Sequence, residues 1–135
     1  MKERIVITYG TFDILHYGHI RLLERARALG DRLYVGISTD EFCKREKNKK
    51  CFYPYSIRQE MVRALRCVDK VFPEENFEQK FDDFRKYHPD IFVLGSDYRG
   101  SDKLNGIEKF CQIVILERTP NISTTKIKQA LKIQS

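Results

Sequence analysis

Residues Arg4 to Gly30 read RIVITYGTFDILHYGHIRLLERARALG, and two periodicities meet in them. Arg4–Tyr9 is a β-branched and aromatic run closed by Gly10, the pattern of a buried strand. From Gly18 to Leu29 the apolar residues Ile20, Leu22, Leu23, Ala26 and Leu29 recur at helical spacing, and Gly30 ends the run. Between strand and helix lies a short connection holding two histidines. Outward from this unit the alternation continues. Arg32–Ser38 is a second strand, and Thr39–Tyr55 reads as a polar, lysine-laden connection. Ser56-Ile57-Arg58-Gln59 has the form of a capping box opening a helix to about Arg66. Lys70–Phe72 is a short strand, Phe77–Tyr87 a helix stopped by Pro89, and Asp90–Leu94 a buried strand closed by Gly95. Lys103–Phe110 reads as a short helix, Gln112–Leu116 as a fifth strand, and Ser123 as the cap of a last helix through Leu131. Strands alternating with helices predict an α/β fold: a doubly wound, parallel five-stranded sheet with helices on both faces.

The chain has 135 residues, which fits a single domain over residues 1–135. Its apolar content of 41% and its nine Phe and seven Tyr suffice for a core and exclude a disordered or low-complexity segment. No run of about 18 apolar residues exists, so a membrane-spanning helix is excluded. The N-terminal residues do not form a signal peptide, and the cytoplasm is the expected location. The four cysteines lack C-x-x-C spacing and read as free thiols rather than a zinc site. The formal net charge of +6 allows nucleic acid, an anionic membrane or a small polyanion as partner.

Ligands of such sheets bind beyond the carboxyl ends of the strands, near the topological switch point. After the first strand come Gly10-Thr11-Phe12-Asp13-Ile14-Leu15-His16-Tyr17-Gly18-His19. Histidines three apart at a helix start share one face. The free N–H groups there favour an anion, and Gly18 permits close approach to the backbone. This suits phosphate oxygens that gain charge during phosphoryl or nucleotidyl transfer; the plainer reading is that His16 and His19 cap the helix. After the last strand, Arg118, Thr119, Ser123, Thr124, Thr125 and Lys126 form a second anion cradle at a helix start. Lys44–Lys50 carries five positive charges against one on the same edge, where lysines can close over phosphates. Three anion-binding elements on one edge favour a nucleoside triphosphate. A nucleic-acid module would leave the two histidines unexplained.

The H-Y-G-H segment, with Gly10-Thr11-Phe12-Asp13 before it and Arg118-Thr119 and Ile122-Ser123-Thr124-Thr125 near the other end, resembles the HxGH nucleotidyltransferases. Within them it is similar to the cytidylyltransferases, most of all the small bacterial glycerol-3-phosphate cytidylyltransferases. The similarity runs over almost the whole chain. It implies a Rossmann-like sheet, a homodimer, a Mg2+ requirement and the reaction CTP + sn-glycerol 3-phosphate → CDP-glycerol + diphosphate, serving a teichoic acid or capsule-type polymer. It implies direct in-line attack of an acceptor phosphate oxygen on the α-phosphorus of CTP. By the resemblance, His16, His19, Lys47 and Arg118 are catalytic. Gly10, Thr11, Phe12, Gly18, Lys49, Asp97, Arg118, Thr119, Ile122, Ser123, Thr124 and Thr125 would line the nucleotide, and Asp13, Lys47, Arg58 and Lys80 the acceptor. No residue is expected to form a metal site of its own, since Mg2+ would ride on the nucleotide phosphates. Tyr17, Gly95–Tyr98 and Pro120-Asn121 depart from the family pattern. Another alditol, sugar or flavin phosphate stays open as acceptor, and ATP as nucleotide.

Overall fold

The computed structural model describes residues 2–95, 106–117 and 124–134. In chain order these form β1 (Ile5–Gly10), α1 (Tyr17–Arg27), β2 (Arg32–Ser38), α2 (Asp40–Glu46), α3 (Tyr55–Arg63), β3 (Lys70–Glu74), α4 (Gln79–Tyr87), β4 (Ile91–Gly95), a single 3-10 turn (Ile107–Lys109), β5 (Gln112–Leu116) and α5 (Thr124–Gln134). The five strands are parallel in the order β3-β2-β1-β4-β5. The sheet therefore reverses its winding between β1 and β4, and the crevice at their carboxyl ends is the place for a ligand.

Strand alternation explains why both faces are covered. Val6 of β1, Leu33, Val35 and Ile37 of β2, and Ile91 and Val93 of β4 share a core with Leu23 and Ala26 of α1 and Val62 of α3. Their strand neighbours Ile7, Phe72, Phe92 and Leu94 point the other way and pack with Phe84 of α4 and Ile107. Successive side chains of a strand leave opposite faces, so a strand buried on both sides must read as a continuous apolar run. This is the doubly wound architecture expected from the sequence.

Four local expectations need correction. The Thr39–Tyr55 connection contains α2, whose seven residues bury only Phe42 and Cys43; so short a helix shows no apolar period. Its signal was instead the cap, since Thr39 Oγ1 accepts from Phe42 N–H at 3.2 Å. Ser56 does not cap α3: the N-cap is Pro54, without a side-chain bond, and Gln59 Nε2 donates to the Ser56 carbonyl at 3.0 Å. β3 runs on through Pro73 to Glu74 because it is an edge strand, where a missing N–H is tolerated. The short helix over 103–110 is reduced, in its described part, to the 3-10 turn after Gly106, whose φ is +89°.

Candidate active site

The loop after β1 is held by steric fit. A Cβ on Gly10 would lie 2.8 Å from the Phe12 ring, so only glycine lets that ring fold back over the strand end. Phe12 is itself buried and left-handed, at φ +53°, and the half-buried Ile14 is left-handed too, at +49°. Backbone strain of this kind persists only where the surroundings enforce it. Here they do so through Asp13. Its carboxylate accepts from Phe52 N–H at 2.7 Å and Tyr53 N–H at 3.1 Å, and pairs with Lys128 Nζ of α5 at 2.9 Å. Thr124 Oγ1 donates to the Asp13 carbonyl at 2.8 Å. Burial pushes the Asp13 carboxyl up, but Lys128 and the two backbone donors outweigh it and hold the group below its ordinary range. Asp13 thereby ties the β1 loop to the segment after the lysine-rich stretch and to the first turn of α5.

His16 is the N-cap of α1, and the two histidines cap each other. His16 Nδ1 accepts from Gly18 N–H at 3.0 Å and His19 N–H at 3.4 Å, while His19 Nδ1 accepts from His16 N–H at 3.2 Å. The N–H groups of Gly18 and His19 are thus used by the cap, which corrects the expectation that they are free for an anion. Capping and chemistry are nonetheless compatible. A ring nitrogen that accepts carries no proton, so each neutral imidazole holds its proton on Nε2. Burial lowers the pKa of His16. For His19, burial and the neighbouring His16 outweigh Asp13 and bring it down to about 4. Both rings are neutral near pH 7, each presenting one Nε2–H donor, and they stack at 3.8 Å between centroids.

In the basic stretch, Arg45 donates to the Glu75 carbonyl just past β3, and Lys47 reaches inward to the ends of β1 and β2. It closes α2 as C-cap; left-handed Asn48 follows at φ +50°, and Lys49 N–H returns to the Cys43 carbonyl. Lys47 Nζ donates to Ser38 Oγ at 2.9 Å and Thr11 Oγ1 at 3.1 Å, whereas Lys44 and Lys49 are exposed. Burial pushes the Lys47 ammonium below its ordinary pKa; Glu74 opposes this, and Lys49 and Lys80 add to it.

Arg58 is fully buried. Its guanidinium donates to the carbonyls of Tyr53, Thr11 and Ser38 and to Asp40 Oδ1, at 2.7–3.0 Å. Its direct partners are thus two loop carbonyls and the last carbonyl of β2 around the site, together with one carboxylate. Lys80 is buried against Glu74 Oε2 at 2.6 Å. Thr125 is exposed on α5. Asp97, Arg118, Thr119, Ile122 and Ser123 lie outside the described residues. Glu74 and Ser38 were missed by the reading of the sequence. Glu74 follows a proline that ended the expected strand, and Ser38 is one hydroxyl among many.

With this strand–loop–helix unit and its two mutually capped histidines in view, the chain can be set beside known proteins. The family model described as Cytidylyltransferase-like matches residues 7–130. The chain belongs to the cytidylyltransferase-like family. Among curated members, the glycerol-3-phosphate cytidylyltransferase of Staphylococcus aureus (strain NCTC 8325 / PS 47) is 51% identical over 93% of this chain and 93% of its own length. That of Bacillus subtilis (strain 168) is 51% identical over 93% of this chain and 95% of its own. The crystal structure of the lipopolysaccharide core biosynthesis protein from Thermoplasma volcanium GSS1 superposes with a TM-score of 0.74 at 26% identity, covering 87% of this chain and 99% of that one. As a cytidylyltransferase-like protein, the chain presents its neutral imidazoles and the half-buried Lys47 ammonium at the switch point where such sheets take nucleotides.

Among the described residues no group of three or more His, Cys, Asp or Glu could hold a metal ion. Asp13, the carboxylate nearest the histidines in sequence, is already bonded to two N–H groups and Lys128. No helix among them is long and apolar enough to cross a membrane.

Proposed function

We propose that the protein is a glycerol-3-phosphate cytidylyltransferase, converting CTP and sn-glycerol 3-phosphate into CDP-glycerol and diphosphate. The observation that carries this reading is the 51% identity to enzymes of that name over 93% of the chain. The chemistry at the strand ends fits it. In one step a phosphate oxygen of the acceptor forms a bond to the α-phosphorus of CTP, and the bond to the diphosphate leaving group breaks. No enzyme group is covalently modified, so the protein has to position the reactants and stabilise charge. His16 and His19 donate their Nε2–H to nucleotide phosphate oxygens. As neutral donors they need give up no proton to do so. Lys47, beside Thr11, supplies a full positive charge where the acceptor and the α-phosphate meet.

Gly10, Thr11, Phe12, Gly18, Lys49, Thr124 and Thr125 belong, on this reading, to the nucleotide side, together with Asp97, Arg118, Thr119, Ile122 and Ser123. Lys80 belongs to the acceptor side. Asp13 and Arg58 act by holding the loops that carry these groups. Mg2+ arrives as the CTP complex, bound through phosphate oxygens. The working form is a cytoplasmic homodimer that supplies CDP-glycerol for a teichoic acid or capsule-type polymer.

The test is a panel of phosphorylated acceptors against CTP and ATP with Mg2+, followed by diphosphate release. Turnover with CTP and glycerol 3-phosphate is expected. Turnover with ATP alone, or with another acceptor in preference, overturns the assignment.

A further inference from the structure

Glu74 ends the edge strand β3, is 2% exposed, and has both carboxylate oxygens engaged. Oε2 accepts from Lys80 Nζ of α4 at 2.6 Å, and Oε1 from Ser38 Oγ of β2 at 3.0 Å. Ser38 Oγ in turn accepts from Lys47 Nζ at 2.9 Å, and Lys47 Nζ reaches Thr11 at 3.1 Å. One buried carboxylate thus links two ammonium groups carried by different elements. Lys80 Nζ also lies 4.4 Å from the Tyr9 ring centroid, which confines it from another side. A buried ion pair is weak evidence for stability, because its desolvation cost offsets much of the attraction. The arrangement does have a strong consequence for charge placement: two positive charges are kept close together against their mutual repulsion.

We propose that Glu74 is a positioning residue for the transfer reaction, holding Lys80 directly and Lys47 through Ser38 as a pair of positive charges on the acceptor side of the strand ends. This rests on the glycerol-3-phosphate reading of the site. Glu74 touches no substrate and acts through the two lysines. The charged or titratable groups facing Lys47 are Glu74 on β3, Cys43 on α2, Lys49 on its own loop and Lys80 on α4. Asp83 of α4 stands near Lys80, bonded to Tyr9 Oη at 2.8 Å and to Gln79. Of the groups acting on Lys47, Lys49 and Lys80 repel its charge, while Glu74 is the carboxylate that favours it. Losing the Glu74 charge therefore drives Lys47 toward the neutral amine.

The experiment compares wild type with Glu74→Gln, Glu74→Asp and Ser38→Ala in the whole protein. Rates with CTP and glycerol 3-phosphate are measured across pH, and lysine side-chain titration is followed by 13Cε NMR. In Glu74→Gln, KM for glycerol 3-phosphate is expected to rise roughly tenfold or more while KM for CTP changes little. The alkaline limb of the rate profile and the Lys47 titration both move to lower pH by about one unit. Glu74→Asp, which keeps the charge, restores the limb. An unmoved Lys47 titration, or a loss spread equally over both substrates, overturns the proposal. If Glu74→Gln does not fold, Ser38→Ala decides the matter: it breaks the link from Glu74 to Lys47, along with a longer 3.4 Å contact to the Gly10 carbonyl, and must shift the Lys47 titration while leaving the Lys80–Glu74 pair in place. Absence of turnover in wild type overturns the acceptor reading instead, and the NMR titration still judges Glu74.

Discussion

His16 and His19 cap one another: each ring accepts a backbone N–H at Nδ1, and the rings stack 3.8 Å apart. The reciprocity fixes the tautomer of both. It joins a structural duty, starting α1, to a chemical one, presenting Nε2–H, so the two can be separated by substitution.

Replacing His16 by Ala removes both duties. The helix cap is worth about 1 kcal/mol, and loss of a transition-state donor lowers kcat by about two orders of magnitude or more. His16→Asn restores an N-cap acceptor without an Nε2 donor. Thermal stability is expected to recover in Asn while kcat stays low. Recovery of both would show that the cap alone matters, and an effect confined to KM would show equal binding of ground and transition states.

Stability should fall on the acid side. His19 titrates at about 4 in the fold against an ordinary 6.5, and His16 is shifted the same way. Between those values the unfolded chain binds more protons than the native one, so stability rises with pH there and is lost as pH falls through it. Protonation also removes the Nδ1 acceptor that caps α1. Melting temperatures of wild type from pH 7 to 4 should decline, and His19→Gln should flatten the decline. Equal slopes in the two proteins would refute the linkage.

Gly10→Ala forces a methyl to within 2.8 Å of the buried Phe12 ring. Overpacking of this kind costs about 1–3 kcal/mol. Because the clash is with one side chain, Phe12→Leu in the same chain should recover part of the loss. A strictly additive double mutant, measured by denaturant unfolding, would place the strain elsewhere.

Arg58→Lys keeps the charge but loses the planar fork that reaches three carbonyls and Asp40. Leaving buried acceptors without a partner costs about 1–3 kcal/mol each. A clear drop in melting temperature is expected, with kcat and both KM values disturbed together. Full stability with only KM for the acceptor raised would make Arg58 a direct phosphate ligand.

In the basic stretch, Lys47→Gln should lower kcat/KM roughly tenfold or more, while Lys44→Gln on the exposed side of α2 changes little. Equal losses would mean that the stretch acts by its summed charge and not through Lys47 Nζ.

Most of the architecture was legible before any coordinate. β2 and β5 fall on the expected residues, Arg32–Ser38 and Gln112–Leu116, because buried parallel strands must be apolar on both faces. The H-Y-G-H pattern and its place after β1 were legible too. What escaped were features with no period or with one misleading residue: α2, too short to show a stripe, and the end of β3, hidden behind Pro73.

By itself the sequence determined the alternation of strand and helix and the histidine pair, which rest on residues near one another in the chain, and the family, whose motifs are readable in order along almost its whole length. The tertiary structure decided which groups meet. Asp13 reaches α5, Arg58 reaches the loop after β1, and Lys47 and Lys80 converge on Ser38 and Glu74. Those contacts depend on the order β3-β2-β1-β4-β5 and on parallel register, which bring strand ends together from distant parts of the chain. Local periodicity carries no information about such pairings. From a composition that is basic throughout, only the fold gathers two lysines around one buried carboxylate, Lys80 directly on Glu74 and Lys47 through Ser38.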